Sequence, residues 1–150
     1  MRIFLRDIEL HETKYLSILP IQGLVFSITQ ANAEKIRNIV EQVPIYLPII
    51  GDLKVSARYE IEELIFFCKL KCIIIPEINE QHEYSCPWIL RSDNAPYNVL
   101  ISKEGQIVTE NILLENIATA KNINGLIIDV NELLYLWPKL LNIWANIKVV

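Results

Sequence analysis

Short apolar runs rich in β-branched residues recur along this chain, each followed by an amphipathic stretch, at a spacing of roughly 25 residues. This repetition constrains the fold more than any other feature. A strand that is apolar throughout has to be covered on both faces, and a parallel sheet flanked by helices does that. Successive parallel strands then need right-handed crossovers. The composition agrees, since 52% of the 150 residues are hydrophobic and only 21% charged. The expected architecture is a single α/β domain over residues 1–150, with a mainly parallel sheet built from about six βα units. Two closures fit: a reduced TIM-barrel-like ring, or an open three-layer sandwich with helices on both sides of a doubly wound sheet.

The units can be placed by periodicity. MRIFLRDI reads as a strand burying Ile3, Leu5 and Ile8, and HETKYLSIL as a short helix ending at Pro20. Gly23 to Ile28 is the second strand. NAEKIRNIVEQV then brings Ala33, Ile36, Ile39, Val40 and Val43 onto one helical face, with Asn32 or Thr29 as cap and Pro44 as stop. IYLPII is the third strand, made irregular or pushed to an edge by Pro48. Ser56 caps ARYEIEELIFFCK, whose early acids and final lysine complement the helix dipole, and CIII forms the fourth strand. From Glu77 to Pro96 the pattern breaks into a long loop with one short strand, Trp88-Ile89-Leu90. NVLIS is a strand, EGQ a turn, and TENILLENIATAK a helix capped by Thr109. LIIDV is the last strand, and NELLYLWPKLLNIW the last helix, kinked near Pro138. Ile21-Gln22-Gly23-Leu24 and Ile123-Asn124-Gly125-Leu126 open two strands of similar length. In each, the glycine is expected to end the preceding segment in the left-handed region.

Several function classes are excluded. Net charge is −4 with no basic cluster, which leaves nothing to meet nucleic-acid phosphates. No apolar run approaches the roughly 18–20 residues of a membrane span. The first twelve residues acquire charge too early for a signal peptide, so a cytoplasmic location is expected. The glycines stand alone at positions 23, 51, 105 and 125, so neither a phosphate-cradling loop nor a nucleophile elbow can be built.

Cysteines 68, 72 and 86 with His82 spell C-x3-C-x9-H-x3-C. A structural zinc site needs close thiolate pairs on tight turns. Lys69-Leu70-Lys71 offers no turn residue, Cys68 ends a helix, and Cys72 opens an isoleucine strand. Buried thiols behaving as small hydrophobes are the expected outcome, with no metal and no cofactor.

In parallel α/β folds the ligand site lies at the carboxyl ends of the strands. The residues expected there are Arg6, Asp7, Thr29, Gln30, Asp52, Lys54, Glu77, Asn79, Ser102, Lys103, Asp129 and Asn131. Arg6 and Asp7 can pair internally, or Arg6 can hold a carboxylate ligand with a two-pronged contact. Asp52 is either a general base or a solvated turn residue. Asp129 either orients Lys103 across the opening or caps a helix. The candidate catalytic set is Arg6, Asp7, Asp52 and Asp129, and the candidate ligand-binding set is Arg6, Lys103 and Asn131. His11 is expected to be exposed and His82 to lie in the long loop, each without the partner a nucleophile needs.

The order of MRIFLRDIELHETKYLSILPIQGLVFSI resembles the opening of the phosphoribosylanthranilate isomerase family, a (β/α)8 barrel. That family begins with a Lys-Ile-Cys-Gly strand, a short helix and a Gly-Ala-Asp-Ala-Ile-Gly-Phe-Ile-Phe strand. EKIRNIVEQVPIYLPIIGD, YEIEELIFFCKLKCIIIPEINE and VTENILLENIATAKNINGLIIDV continue the similarity, over about two-thirds of the chain. The catalytic motifs are absent. The family's general-base cysteine falls at Arg6 and its following glycine at Asp7. Gln-Leu-His-Gly after the fourth strand is replaced by Ile74-Ile75-Pro76-Glu77, and the phosphate-binding Ser-Ser-Gly by Asn131-Glu132-Leu133. Only Asp129 matches an acid of the family's motifs, and the chain is too short for eight βα units.

The resemblance implies a shortened relative that has lost the isomerase reaction and serves as a dimerising or small-anion-binding domain. The rival is a divergent enzyme, of isomerase or lyase type, acting on a small anionic metabolite. The segment with Tyr135, Leu136, Trp137, Leu140, Leu141, Ile143 and Trp144 is apolar on nearly every side, and a homodimer through it is the expected partnership.

Overall fold

A computed structural model describes residues 2–19, 21–55, 57–76, 83–94, 97–102, 107–110 and 125–129; past residue 89 the description is of backbone, except for Ile127 and Ile128. Among these residues there are eight strands: β1 (Arg2–Arg6), β2 (Gly23–Ile28), β3 (Ile49–Leu53), β4 (Cys72–Ile75), β5 (Trp88–Asn94), β6 (Tyr97–Ser102), β7 (Ile107–Glu110) and β8 (Gly125–Asp129). Each pairs with its neighbour in chain order. β8 returns to β1, Arg2 opposite Gly125 through Arg6 opposite Asp129, and the ring closes as a barrel.

The α/β architecture and mainly parallel sheet are as the sequence predicts, and of the two closures it is the barrel that forms. Six pairings are parallel: β1 with β2 and β8, β2 with β3, β3 with β4, β4 with β5, and β7 with β8. Two are antiparallel, β5 with β6 and β6 with β7. These two explain how eight strands fit a chain with room for about six βα units. A parallel crossover needs a dozen or more residues, whereas an antiparallel neighbour needs only a turn. Here residues 95–96 join β5 to β6 and residues 103–106 join β6 to β7. The long loop therefore contains a seven-residue strand rather than three residues. Thr109, expected to cap a helix, is a strand residue paired with Val99.

Every strand of the first half separates two environments. Ile3, Leu5, Leu24, Phe26, Ile28, Ile49, Leu53, Ile73 and Ile75 face outward, into a layer shared with the helices. Phe4, Val25, Ile50, Ile74 and Ile127 face the barrel interior, joined by Cys72 and Ile89. The alternation is that of any strand, with successive side chains on opposite faces.

Among the described residues two α-helices cover the outer face. In α1 (Ala33–Val40) the buried Ala33, Ile36 and Ile39 recur every three residues, and in α2 (Arg58–Cys68) Ile61, Leu64, Ile65 and Cys68 make the stripe. The first connection, Leu10–Ile18, is a 3-10 helix instead of an α-helix. It buries only Leu16, so no apolar stripe rewards the wider α spacing, and a reciprocal Glu9–Glu12 capping box fixes its start. Helix α2 ends at Lys69, which takes the left-handed conformation (φ 56°, ψ 45°) usually given to glycine.

Two local expectations are corrected. β3 begins at Ile49 and runs through Gly51 and Asp52, because residues 45–47 are used in a turn ahead of Pro48. Gly23 is not a left-handed terminator. It is the first residue of β2, and a Cβ there would meet the Phe4 ring at 3.0 Å and the Pro48 carbonyl at 3.1 Å. Its missing side chain leaves room for Phe4 on the barrel floor. No helix among the described residues is long and apolar enough to cross a membrane.

Candidate functional site

Interior positions alternate up each strand, so an apolar interior residue is followed two positions later by the residue at the barrel mouth. Phe4 leads to Arg6, Val25 to Ser27 and Ile50 to Asp52. These three polar residues meet. The Arg6 Nη1 donates to Asp52 Oδ2 at 2.9 Å and to Ser27 Oγ at 2.9 Å. Only 15% of the Arg6 side chain and 10% of the Asp52 side chain remain exposed, so little water screens the ion pair. Ser27 stands opposite Asp52 in the β2–β3 register, which brings the hydroxyl and carboxylate to the same side of the guanidinium.

Asp7 completes the network from beside β1. Its carboxylate accepts the Ser27 N–H at 2.8 Å through Oδ1 and the Ser27 hydroxyl at 3.2 Å through Oδ2. Its own N–H donates to the Val25 carbonyl at 2.8 Å. The backbone here is left-handed, with φ 57°, a conformation that aspartate tolerates by bonding locally. Asn32 braces the far side. Its Nδ2 donates to the Ser27 carbonyl at 2.8 Å, and its Oδ1 accepts the Thr29 N–H at 2.8 Å.

Arg6, Asp7 and Asp52 thus come together, but not in the expected pairing. The carboxylate on Arg6 is Asp52, a buried strand residue rather than a solvated turn, while Asp7 holds Ser27. Asp129 occupies the register position beside Arg6 on β8, described by its backbone alone. Thr29, Gln30 and Lys54 are exposed at the ends of β2 and β3. Ser102 is displaced from the mouth, because β6 runs antiparallel and its carboxyl end lies against Ile89. Lys103, Asn131, Glu77, Asn79, His82 and the apolar segment 131–144 lie outside the described residues. His11 is exposed. Ser27 and Asn32 are the network members that sequence reasoning missed. Ser27 had a signal, being the one polar residue in GLVFSI and two positions on from Val25.

The thiols are held apart. Cys68 is wholly buried in the outer layer, its Sγ near the Ala33 carbonyl at 3.6 Å, while Cys72 packs against the interior cluster. The sheet lies between them, so one ion cannot bind both. Burial pushes the Cys68 thiol up to about 11, with Arg37 pulling weakly the other way. Cys86 is likewise raised to about 11, by burial first and by Glu62 second. Glu62 also accepts the Ser85 N–H at 2.9 Å and the Ser85 hydroxyl, tying the segment before β5 to α2. Protonated thiols of this kind are poor nucleophiles and poor metal ligands.

Chemically, among the described residues the mouth sets the Arg6 guanidinium against a carboxylate and a hydroxyl. The left-handed Asp7 occupies a glycine-like backbone position directly after Arg6, the last residue of β1. No family model and no curated protein matches the chain. Its fold is similar to that in the crystal structure of phosphoribosyl anthranilate isomerase from Thermus thermophilus, with a TM-score of 0.60 over 86% of this chain and 87% of that one, at 13% sequence identity, a likeness of fold alone.

Proposed function

We propose that this chain is a non-catalytic relative of the sugar-phosphate barrel enzymes, one that acts by binding rather than turnover. The supporting observation is the Arg6–Asp52 ion pair, closed at 2.9 Å and largely shielded from water. It occupies the strand end where the resembled family places its general base. An arginine held by a carboxylate cannot take a proton at neutral pH. The chain further replaces the family's phosphate-binding turn with Asn131-Glu132-Leu133, which adds negative charge. What remains is a barrel able to associate, and the apolar segment 131–144 supports a homodimer as the form in which it acts.

Incubating the purified protein with phosphoribosylanthranilate, and following the loss of substrate fluorescence, tests the first part. No turnover above the buffer rate is expected. Turnover that vanishes in Asp52→Asn, while the fold is kept, would overturn the proposal. Light scattering at micromolar concentration tests the second part, and a clean monomer would remove the dimer.

One observation favours a second reading, a divergent isomerase- or lyase-type enzyme on a small anionic metabolite. Arg6 and Asp52 do converge at a barrel mouth, as an acid–base site requires. That reading predicts that a small sugar phosphate competes with Asp52 for Arg6 and that Arg6→Lys binds it more weakly. Calorimetry with ribose 5-phosphate showing no heat for either protein would exclude it.

A further inference from the structure

At the opposite end of the barrel, where helices return to the amino ends of the strands, a second feature stands apart from the mouth. A groove of about 390 Å³ is lined by Arg37 of α1, by Ile65, Phe66 and Phe67 of α2, and by Lys69, Leu70 and Lys71 leading into β4. Of its seven described lining residues three are cations and none is an acid, on a chain whose net charge is −4. Arg37 stacks over the Phe67 ring, 4.7 Å from its centroid, with Glu41 reaching its Nε at 3.6 Å. Lys69 and Lys71 are both exposed, and among the described residues neither has a carboxylate within ion-pair distance. Phe66, at the rim, is 87% exposed.

Phe66 thus stands as an exposed apolar side chain beside two cations, Lys69 and Lys71, in one groove, so that an apolar contact and positive charge are presented together. We propose that this groove docks a short acidic segment of another protein, with an aromatic or aliphatic side chain set against Phe66 and its carboxylates on Lys69, Lys71 and Arg37. The charge decides the class of partner. An acidic chain is drawn to a basic groove on a protein of net charge −4, whereas that net charge disfavours nucleic acid. The stacking of Arg37 on Phe67 fixes the plane of its guanidinium, which lowers the entropy lost when a carboxylate is gripped.

The test is selection of a displayed random-peptide library on the intact protein, with Lys69→Glu/Lys71→Glu as the counter-selecting surface. The peptides obtained are then measured by fluorescence anisotropy against wild type, the double variant and Phe66→Ala. Circular dichroism confirms that each variant is folded. The expected peptides carry acids flanking an apolar residue. Their affinity should fall by at least about tenfold in the double variant, fall severalfold in Phe66→Ala, and weaken with added salt. The proposal is overturned if no peptide is enriched, if those enriched lack acids, or if Phe66→Ala binds as wild type does. It is also overturned if the protein self-associates in sedimentation and the double variant abolishes it, since the occupant is then a second copy of this chain.

Discussion

The two faces of the same strands have been treated differently. Over β1–β4 and at Ile128 the outer face is apolar, and with the helices it forms one continuous cluster running from Ile3 to Ile128. The inner face has an apolar floor of Phe4, Val25, Ile50, Ile74 and Ile127 and then turns polar at Arg6, Ser27 and Asp52. The outer layer specifies the fold by burial, which is non-directional and tolerant. The inner layer is specified by hydrogen bonds, which are directional and fail when one partner is lost. A substitution at the mouth can therefore leave intact the architecture that the outer layer specifies.

Adjacent residues 25 and 26 test this contrast most strongly, since both are fully buried on opposite faces. Phe26→Ala, in the outer layer, should cost about 3–5 kcal/mol in urea denaturation. Val25→Ala removes fewer atoms from the interior and should cost about 2 kcal/mol. If the order reversed, the interior rather than the helix layer would be the main source of stability.

At the mouth, Arg6→Ala or Asp52→Asn should each cost about 3 kcal/mol, because either removes one side of an ion pair that is largely shielded from water. Replacing both, as Arg6→Met with Asp52→Leu, should recover most of that loss. A cost below roughly 1 kcal/mol for each single variant would mean that water screens the pair, and the contrast between the faces would weaken.

The Cys68 thiol sharpens the outer half of the comparison. It ionises near 9.0 when unfolded and near 11 in the folded protein. Between those values the folded state holds a proton that the unfolded state has released, so raising the pH favours unfolding. The stabilisation is complete below about pH 9, declines above it, and is gone beyond about pH 11, amounting to roughly 3 kcal/mol at most. Wild type should lose stability relative to Cys68→Ala across that window. Parallel curves would mean that the thiolate finds solvent.

The outer layer was the part most readable from sequence. Gly23 to Ile28 and the stripe Ala33, Ile36, Ile39 follow from local periodicity, which reports burial directly. The candidate site was half readable as a cluster of residues. Strand-end logic found Arg6, Asp7 and Asp52, but partners are chosen by register, and register is not local. Asp52 looked like a turn residue because Gly51 precedes it. In the fold that glycine lies inside β3, packed against Leu70, whose Cδ1 would be 2.5 Å from an added Cβ. The meander was hidden for a related reason, since Ile107–Glu110 runs into a stretch with helical periodicity.

On the barrel floor, Gly23→Ala should cost about 1–2 kcal/mol, since its methyl meets the Phe4 ring and the unyielding Pro48 carbonyl. Combining it with Phe4→Leu should return part of the loss if space is the cause. Equal costs alone and combined would instead point to the glycine's backbone.

The smallest effect is at Lys69, where α2 hands over to β4. A non-glycine residue at φ 56° pays a steric cost that glycine avoids, and Lys69→Gly should stabilise the protein by about 1 kcal/mol. The gain would show as a higher urea midpoint with an unchanged slope. Removing the side chain also uncovers Leu70 and the groove beside Phe66. If the midpoint fell instead, the lysine stem would be shielding apolar surface by more than its backbone strain costs. The outer layer would then extend past the helix end, onto a residue whose charge faces the water.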